Sequence, residues 1–374
     1  MRPRRLLRLW HRWFGLLASV WLLLLAVTGS VIVFYDELDR LLNPELRISR
    51  TTMAAPVPIA RAVTAAEAAL PGFTPRFIDL PNRQGDTVLM LGVVRASDAE
   101  PHPVQVFADP VDGHTLGWRE SERLRFDRRH LMDTLYSLHV DLMLGPWGVW
   151  FIGLVSLLWI MDHMVGVTLA VPRISAWASA FVIKSGGQRL KRLLDLHRAP
   201  AMWLLPVTLV LAVSGLTLSW HDETRAVARL IAPVTERLHE NFPDVAGPIP
   251  TVSLDDAITI AAEHGGGRTD SVLLLPRKGV YGVRGFDARD LDSYGRLWTY
   301  ISMSDGRVMG HRHDNGESPA DIFFAWQYPL HSGKVFGLTG RLAILAGGLV
   351  TILLCVSGFW LWQRRRGPLT HTPA

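Results

Sequence analysis

Four apolar stretches in this chain are each long enough to cross a lipid bilayer, and they limit its possible folds more than any other feature. They run from Trp13 to Tyr35, from Pro146 to Pro172, from Ala199 to Trp220 and from Leu342 to Trp362. A transmembrane helix needs about 20 consecutive, mostly apolar residues. Only 20% of all residues are charged, whereas soluble domains average about 25%. The sequence therefore predicts a membrane protein, mainly α-helical, with four transmembrane helices.

Basic residues flank these stretches unevenly, and this asymmetry predicts the orientation of the helices. They cluster at the N-terminus, in the loop between the second and third stretches, and at the C-terminus. Examples are Arg12, Arg198 and residues 364–366. Cytoplasmic loops of membrane proteins carry an excess of Lys and Arg. We therefore expect both termini in the cytoplasm of a bacterial inner membrane and both long intervening segments in the periplasm. The first stretch exceeds the apolar length of a signal peptide, so we expect it to be retained.

The composition excludes several classes of site and partner. The net charge of +5 comes from basic residues clustered beside apolar stretches, which indicates lipid headgroups rather than nucleic acid as the partner. Cys355 is the single cysteine of the sequence. One cysteine cannot build an intramolecular disulfide framework, a cysteine-based zinc site or an iron–sulfur cluster. The sequence has no dinucleotide fingerprint and no Walker motif, so any electrons that it carries come from a cytoplasmic partner or from membrane quinol.

The chain contains an internal repeat. The first span begins with His11-Arg12 and reads Leu-Ala-Val-Thr-Gly up to Gly29; the third begins with His197-Arg198 and reads Leu-Ala-Val-Ser-Gly up to Gly215 at the same offset. The second and fourth spans also match each other at one constant offset, through His139 and His331, Gly145 and Gly337, Gly148 and Gly340, and Gly166 and Gly358. Two parallel copies imply a pseudo-twofold axis along the membrane normal.

Each periplasmic segment predicts a small α+β module. Helical patterns cover Ile59–Ala69 and Leu254–His264, and Asp-Gly pairs at Asp112 and Asp305 indicate hairpin turns. We expect the order helix, strand, strand, turn, strand in each module. The predicted organisation is the cytoplasmic N-terminus and first span (1–35), the first periplasmic module (36–145), the second span (146–172), a cytoplasmic loop (173–198), the third span (199–220), the second periplasmic module (221–340), and the fourth span with the cytoplasmic C-terminus (341–374).

The repeat singles out four histidines. His11 and His197 are predicted at matching cytoplasmic ends of spans one and three, and His139 and His331 at matching outer ends of spans two and four. A twofold axis brings matched positions face to face where both point inward. Two facing imidazoles in a helix bundle suit axial ligation of haem iron, which leaves no open coordination position and favours electron transfer. The plainer interpretation is that each histidine caps a helix or contacts headgroups.

Other arrangements of the histidines stay open at this point. His163 lies inside the second span beside Asp162, and ionisable groups within a membrane are costly and usually functional. His163 could replace a cytoplasmic ligand, bind a haem propionate, carry a proton, or form an interhelical hydrogen bond. His139 and His163 on the second span are 24 residues apart, and so are His197 and His221 on the third span. This separation is roughly 36 Å in a continuous helix, so spans two and three alone could hold both haems.

These features together resemble the PepSY-associated transmembrane family over nearly the whole chain. The resemblance is carried by Leu9-Trp10-His11-Arg12-Trp13, by the Leu138-His139 and Leu330-His331 stretches with their following glycines, and by the Asp-Gly hairpins. Members of the family include bacterial inner-membrane ferric-siderophore reductases. The resemblance implies four spans, two periplasmic PepSY modules, two b-type haems held by the span-leading histidines, and reduction of a periplasmic Fe(III)-siderophore such as a ferrioxamine-type complex.

Two other functions remain possible from the sequence. PepSY modules are also linked to protease inhibition, so the chain could bind or regulate a periplasmic partner without being an enzyme. Alternatively, Asp162 and His163 could form the proton relay of a transporter. A reductase is coloured by its haem, whereas both alternatives predict a colourless protein.

Overall fold

The computed structural model describes residues 3–49, 57–95, 100–171, 173–184, 188–245, 250–265, 267–316 and 318–364. Pro172, Arg365 and Arg366, which belong to the predicted second span and the C-terminal basic cluster, lie outside these residues.

The described residues form the following helices: α1 (Pro3–Ile32), α2 (Tyr35–Leu42), α3 (Pro44–Arg47), α4 (Ile59–Ala69), α5 (Leu131–Val140), α6 (Pro146–Ala170), α7 (Arg189–Trp203), α8 (Leu205–Ser219), α9 (His221–Ala228), α10 (Leu238–Asn241), α11 (Leu254–His264), α12 (Pro319–Ser332) and α13 (Gly337–Arg364), with 3-10 helices at Ile174–Phe181, Pro276–Lys278 and Lys334–Phe336.

The chain divides into two compact units. The helix unit comprises Met1–Val33, Leu135–Thr224 and Gln327–Ala374, and the sheet unit comprises Phe34–Thr134 and Arg225–Trp326. The sheet unit is therefore shorter than the predicted periplasmic segments 36–145 and 221–340. Residues His139 and His331, which the prediction placed at the ends of those segments, belong to the helix unit.

Three helices among the described residues, α1, α6 and α13, are long and apolar enough to cross a membrane. The fourth candidate is the pair α7 and α8, which is bent by 68°. The predicted third span, from Ala199 to Trp220, is therefore interrupted by a bend at Leu204. Pro206 explains the break at Leu204, because its ring would clash with the carbonyl of Met202 and it has no N–H to donate.

The helices of the helix unit pack in a pattern that follows the repeat. Helix α1 packs against α13, and its counterpart α8 packs against α6. The contact between α1 and α6 is filled by Ala18, Leu22 and Val155, with Phe14 and Trp159 packed around them. Small and medium side chains at this contact allow the two helices to approach closely.

The described strands of the sheet unit form one antiparallel sheet of eight strands in the order β4-β3-β2-β1-β5-β6-β7-β8. The strands are β1 (Phe73–Asp79), β2 (Val88–Val94), β3 (His102–Ala108), β4 (Thr115–Glu120), β5 (Thr269–Leu275), β6 (Val280–Gly285), β7 (Leu297–Ser302) and β8 (Val308–His313). Ile78 of β1 pairs with Val272 of β5 at the centre. The two α+β modules thus share a single sheet and a single core, in which α4 and α11 cover one face. Asp255 joins the two helices, since its carboxylate accepts hydrogen bonds from the first two amides of α4.

The helices of these modules were predicted correctly, but the number of strands was not. Helices α4 and α11 have the predicted bounds, and both Asp-Gly turns occur, with Gly113 and Gly306 at positive φ. Each module has four strands rather than the three expected. Prolines at Pro75 and Pro103 weaken the strand pattern of β1 and β3. The sheet tolerates Pro75 because β1 has a bulge there and pairs with β5 only from Phe77 onward.

Candidate functional site

Two pairs of histidine rings face each other in the helix unit. The ring centroids of His11 on α1 and His197 on α7 are 6.1 Å apart, with 69° between the ring planes. The ring centroids of His139 on α5 and His331 on α12 are 6.0 Å apart, with 56° between the planes. Each histidine therefore faces its own counterpart in the repeat. The alternative arrangements with His163 and His221 are not formed.

The supporting helices of the second pair differ from the prediction. His139 and His331 lie on α5 and α12, which are separate helices that precede α6 and α13, rather than on the spanning helices. The chain turns between them at Gly145 and Gly337, with φ of 56° and 58°, a conformation that glycine adopts without steric cost.

A second pair of matched glycines permits the close approach that follows each turn. A Cβ on Gly148 would lie 1.6 Å from the carbonyl oxygen of Asp141, and a Cβ on Gly340 would lie 2.2 Å from that of Gly333. Any side chain at either position would therefore displace the backbone. The glycines that recur in the sequence after His139 and His331 hold the short helices against the first turns of α6 and α13.

Hydroxyl groups fix the tautomers of the second pair. Thr28 Oγ1 lies 3.1 Å from His139 Nδ1, and its repeat counterpart Ser214 Oγ lies 2.8 Å from His331 Nδ1. Each hydroxyl donates its own hydrogen to the carbonyl four residues earlier. It can therefore only accept from the ring, so Nδ1 carries the proton and Nε2 keeps its lone pair for a metal ion.

Glycines give these rings room. A Cβ on Gly29 would lie 2.7 Å from Cε1 of His139, closer than a real Cβ contact. At the other pair, a Cβ on Gly358 would lie 3.3 Å from Cε1 of His197, and one on Gly166 would lie 3.9 Å from Cε1 of His11. The repeated Thr-Gly and Ser-Gly sequences thus have a local explanation: the hydroxyl orients the imidazole and the glycine accommodates it.

The first pair has two different hydrogen-bond partners. His197 Nδ1 donates to Ser357 Oγ at 2.9 Å, and that hydroxyl in turn donates to the carbonyl of Leu353. His11 Nδ1 instead lies 3.0 Å from both carboxylate oxygens of Asp162. Asp162 is 8% exposed. The sequence places Asp162 beside His163 but does not reveal this contact between α6 and α1.

His163 joins neither pair. Its Nδ1 donates to the carbonyl of Trp159 at 2.7 Å, and its Nε2 lies 3.0 Å from Thr208 Oγ1. Both ring nitrogens are therefore already hydrogen-bonded, unlike those of the four paired histidines. The geometry fits the interhelical hydrogen bond considered for His163, and Thr208 is its partner.

The sheet unit contains a buried ion pair and a buried carboxyl group with a raised pKa. Arg119 donates to Asp39 at 2.7 Å with both side chains buried, and it also donates to Tyr35 and Gln105. Burial raises the pKa of Asp79 to about 6, although the nearby Arg284 guanidinium opposes this shift. Among the described residues, none of these groups belongs to a cluster of three or more side chains that could hold a metal ion.

Comparison with known proteins gives the chain its family. Among curated proteins, no sequence matches it. Residues 8–365 match the family described as the PepSY-associated TM region, so the match covers the four apolar stretches of the sequence, both modules of the sheet unit and all four paired histidines. The chain therefore belongs to the PepSY-associated transmembrane family.

Proposed function

We propose that this protein binds two b-type haems and carries electrons across the bacterial inner membrane to a periplasmic Fe(III)-siderophore. One haem would be held by His11 and His197, and the other by His139 and His331. The observation that carries the proposal is the pair of facing imidazoles, found twice, in which every Nδ1 is hydrogen-bonded and every Nε2 is directed away from those bonds.

The spacing of the rings fits a metal ion between them. A metal–imidazole bond is about 2.0–2.1 Å long, so two opposed nitrogens lie about 4 Å apart and the ring centroids are farther apart by roughly one ring width. Centroid distances of 6.0 and 6.1 Å are consistent with this arrangement.

The ligand set indicates which kind of metal group fits. No group of three or more His, Cys, Asp or Glu side chains that could hold a metal ion occurs in the part of the chain that the structure describes. A metal ion held by two imidazoles alone needs its remaining ligands from another molecule, and a porphyrin supplies four nitrogens. Bound between two imidazoles, haem supplies one-electron transfer without an open position for dioxygen.

The protein's own residues prepare these sites before any cofactor arrives. Thr28, Ser214, Ser357 and Asp162 hold the imidazole rings in one tautomer and orientation, which is the usual role of groups that surround metal ligands. Gly29 and Gly358 keep the rings close to the neighbouring helices. A ring fixed in this way loses little conformational entropy when it binds a metal, so the sites favour tight binding of the cofactor.

The direction of transfer follows from the proposed topology. Four spans in two parallel repeats, with the arginine-rich termini in the cytoplasm, place His11 and His197 on the cytoplasmic side and His139 and His331 on the periplasmic side. An electron from a cytoplasmic donor or from quinol would enter on the first side. On the second side it would reduce Fe(III) of the siderophore to Fe(II), which hard oxygen donors hold less firmly, so the iron is released.

The test follows one electron from the protein to its substrate. Purified protein is reduced with one equivalent of dithionite per haem and mixed with Fe(III)-ferrioxamine in the presence of a ferrous-iron chelator. We expect the reduced α band to disappear and ferrous iron to appear in equal amounts, whereas iron-free siderophore leaves the band unchanged. Reduced protein that persists with the ferric complex would contradict the siderophore substrate. A colourless protein would contradict the haem sites and favour the regulatory alternative.

A further inference from the structure

The side chains that hydrogen-bond to the four paired histidines are of two kinds, neutral hydroxyls and one carboxyl group. Thr28, Ser214 and Ser357 offer neutral hydroxyls to three of the rings, whereas Asp162 offers a carboxylate to His11. The repeat counterpart of Asp162 is Leu354, so the second copy has no such charge. The helix unit therefore has one symmetric pair and one pair with a single acidic partner.

Asp162 lies beside His11 and away from the lysines and arginines of the described residues. Its ion pair in the described residues is with His11, and no lysine or arginine among them lies within ion-pair distance of it. It is buried between α6 and α1, where a low dielectric strengthens electrostatic interactions. A charge in this position within a membrane is costly and commonly functional.

We propose that Asp162 lowers the reduction potential of the His11–His197 site below that of the His139–His331 site. This inference rests on the proposed function. A carboxylate that accepts the Nδ1 hydrogen makes the imidazole a more basic ligand. A stronger donor and a nearby negative charge both stabilise the oxidised iron, which carries one more positive charge than the reduced iron. Neutral hydroxyls at the other three rings exert a weaker effect of the same kind.

The potential difference gives the electron a preferred direction. For each turnover, one electron would enter at the His11–His197 site from the donor. One electron would leave at the His139–His331 site and convert Fe(III) of the substrate to Fe(II), and neither step would require a proton. Transfer from the lower to the higher potential is favourable, so Asp162 would direct electrons from the cytoplasmic to the periplasmic side. Asp162 is a positioning residue in this account, because it acts through His11.

The experiment is a spectroscopic redox titration of Asp162→Asn and of wild-type protein. Asparagine keeps the size and an acceptor oxygen but removes the charge. We expect the ratio of reduced to oxidised haem at the His11–His197 site to rise about tenfold at a fixed potential, an upward shift of about 59 mV. The other site should stay within twofold of wild type. Ser357→Ala is the matched control on the partner ring, and it should change this ratio by less than threefold.

The two sites are told apart with a second variant. His331→Ala leaves the His11–His197 site as the one complete pair, so its potential can be measured alone, with and without Asp162→Asn. Asp162→Glu keeps the charge and should remain within threefold of wild type. Haem-loaded protein whose potentials do not respond to Asp162→Asn, or whose two sites respond equally, would contradict this inference and leave the proposed function intact. Loss of haem from both Asp162 variants would also contradict it, because Asp162 would then hold the ligand rather than tune it. Wild-type protein without haem would contradict the proposed function itself.

Discussion

The two histidine pairs use the same geometry with different chemical surroundings. At the His139–His331 pair, the repeat supplies equivalent hydroxyls from Thr28 and Ser214. At the His11–His197 pair, the centroid distance is almost the same, but one ring has a buried carboxylate as its partner. Duplication of a helix–module–helix segment therefore accounts for the positions of all four imidazoles. It does not account for Asp162, which distinguishes one side of the helix unit from the other.

This difference separates two kinds of residue within a single site. Positions that are equal in both copies, such as Gly29 and Gly215, face the two rings of one pair, and Gly166 and Gly358 face the two rings of the other. A position that differs, such as Asp162 against Leu354, can serve only what the two pairs do differently. The following predictions test whether the pairs are alike in binding and unlike in electronic properties.

The largest difference in haem binding is expected between two alanine substitutions, at Gly29 and at Gly166. Each of these glycines faces one of the paired histidines. A Cβ on Gly29 would lie 2.7 Å from His139 Cε1, whereas one on Gly166 would lie 3.9 Å from His11 Cε1, an ordinary contact. Both substitutions gain about 1 kcal/mol of helix propensity, so propensity cannot explain a difference between them. We expect Gly29→Ala to lower haem occupancy at its site at least tenfold and Gly166→Ala to leave both haems bound, as measured by haem content per chain. Equal occupancy in the two variants would show that the rings are not confined as described.

A smaller effect is expected from the hydroxyls of the symmetric pair. Thr28→Val and Ser214→Ala each remove one hydrogen bond to an imidazole, worth about 0.5–1.5 kcal/mol. We expect each variant to release haem from the His139–His331 site faster than wild type. Ser214→Ala should have the larger effect, because His139 Nδ1 keeps its contact with the carbonyl of Leu25 at 3.1 Å when Thr28 is replaced. Transfer of haem to an apoprotein acceptor measures these rates. An unchanged rate in Ser214→Ala would show that this hydroxyl does not hold the ring of His331.

The smallest effect is expected from His163. Its ring nitrogens bond to Trp159 and Thr208 rather than to a facing histidine. His163→Gln should therefore leave the haem content and both reduction potentials within error of wild type. Loss of one haem in this variant would restore His163 as an axial ligand and break the pairing by repeat.

The sequence predicted much of this arrangement because duplication is visible in one chain. It gave the bounds of α4 and α11, the apolar spans and the two sets of matched histidines. The break at Leu204 could not be predicted, because a proline can either begin a helix or interrupt one. The sequence alone does not show which of these Pro206 does. It also could not give the pairing of β1 with β5, since the order of strands from two separate segments is set by their shared core.

The partner of Asp162 required the structure for a different reason. An acidic residue in an apolar span indicates function but does not show where its side chain points. Asp162 and His163 are adjacent on α6, so their side chains point to different faces of the helix, one toward His11 on α1 and the other toward Thr208 on α8. Only the packing of neighbouring helices reveals these partners.

The most direct test of the central claim is the haem content of the purified chain and of its four single His→Ala variants. We expect two b-type haems per wild-type chain, with a Soret band and an α band that sharpen on reduction with dithionite. His11→Ala and His197→Ala should each lose the same haem, and His139→Ala and His331→Ala should each lose the other. Wild-type protein without pigment, or variants that lose haem in any other pairing, would contradict the account.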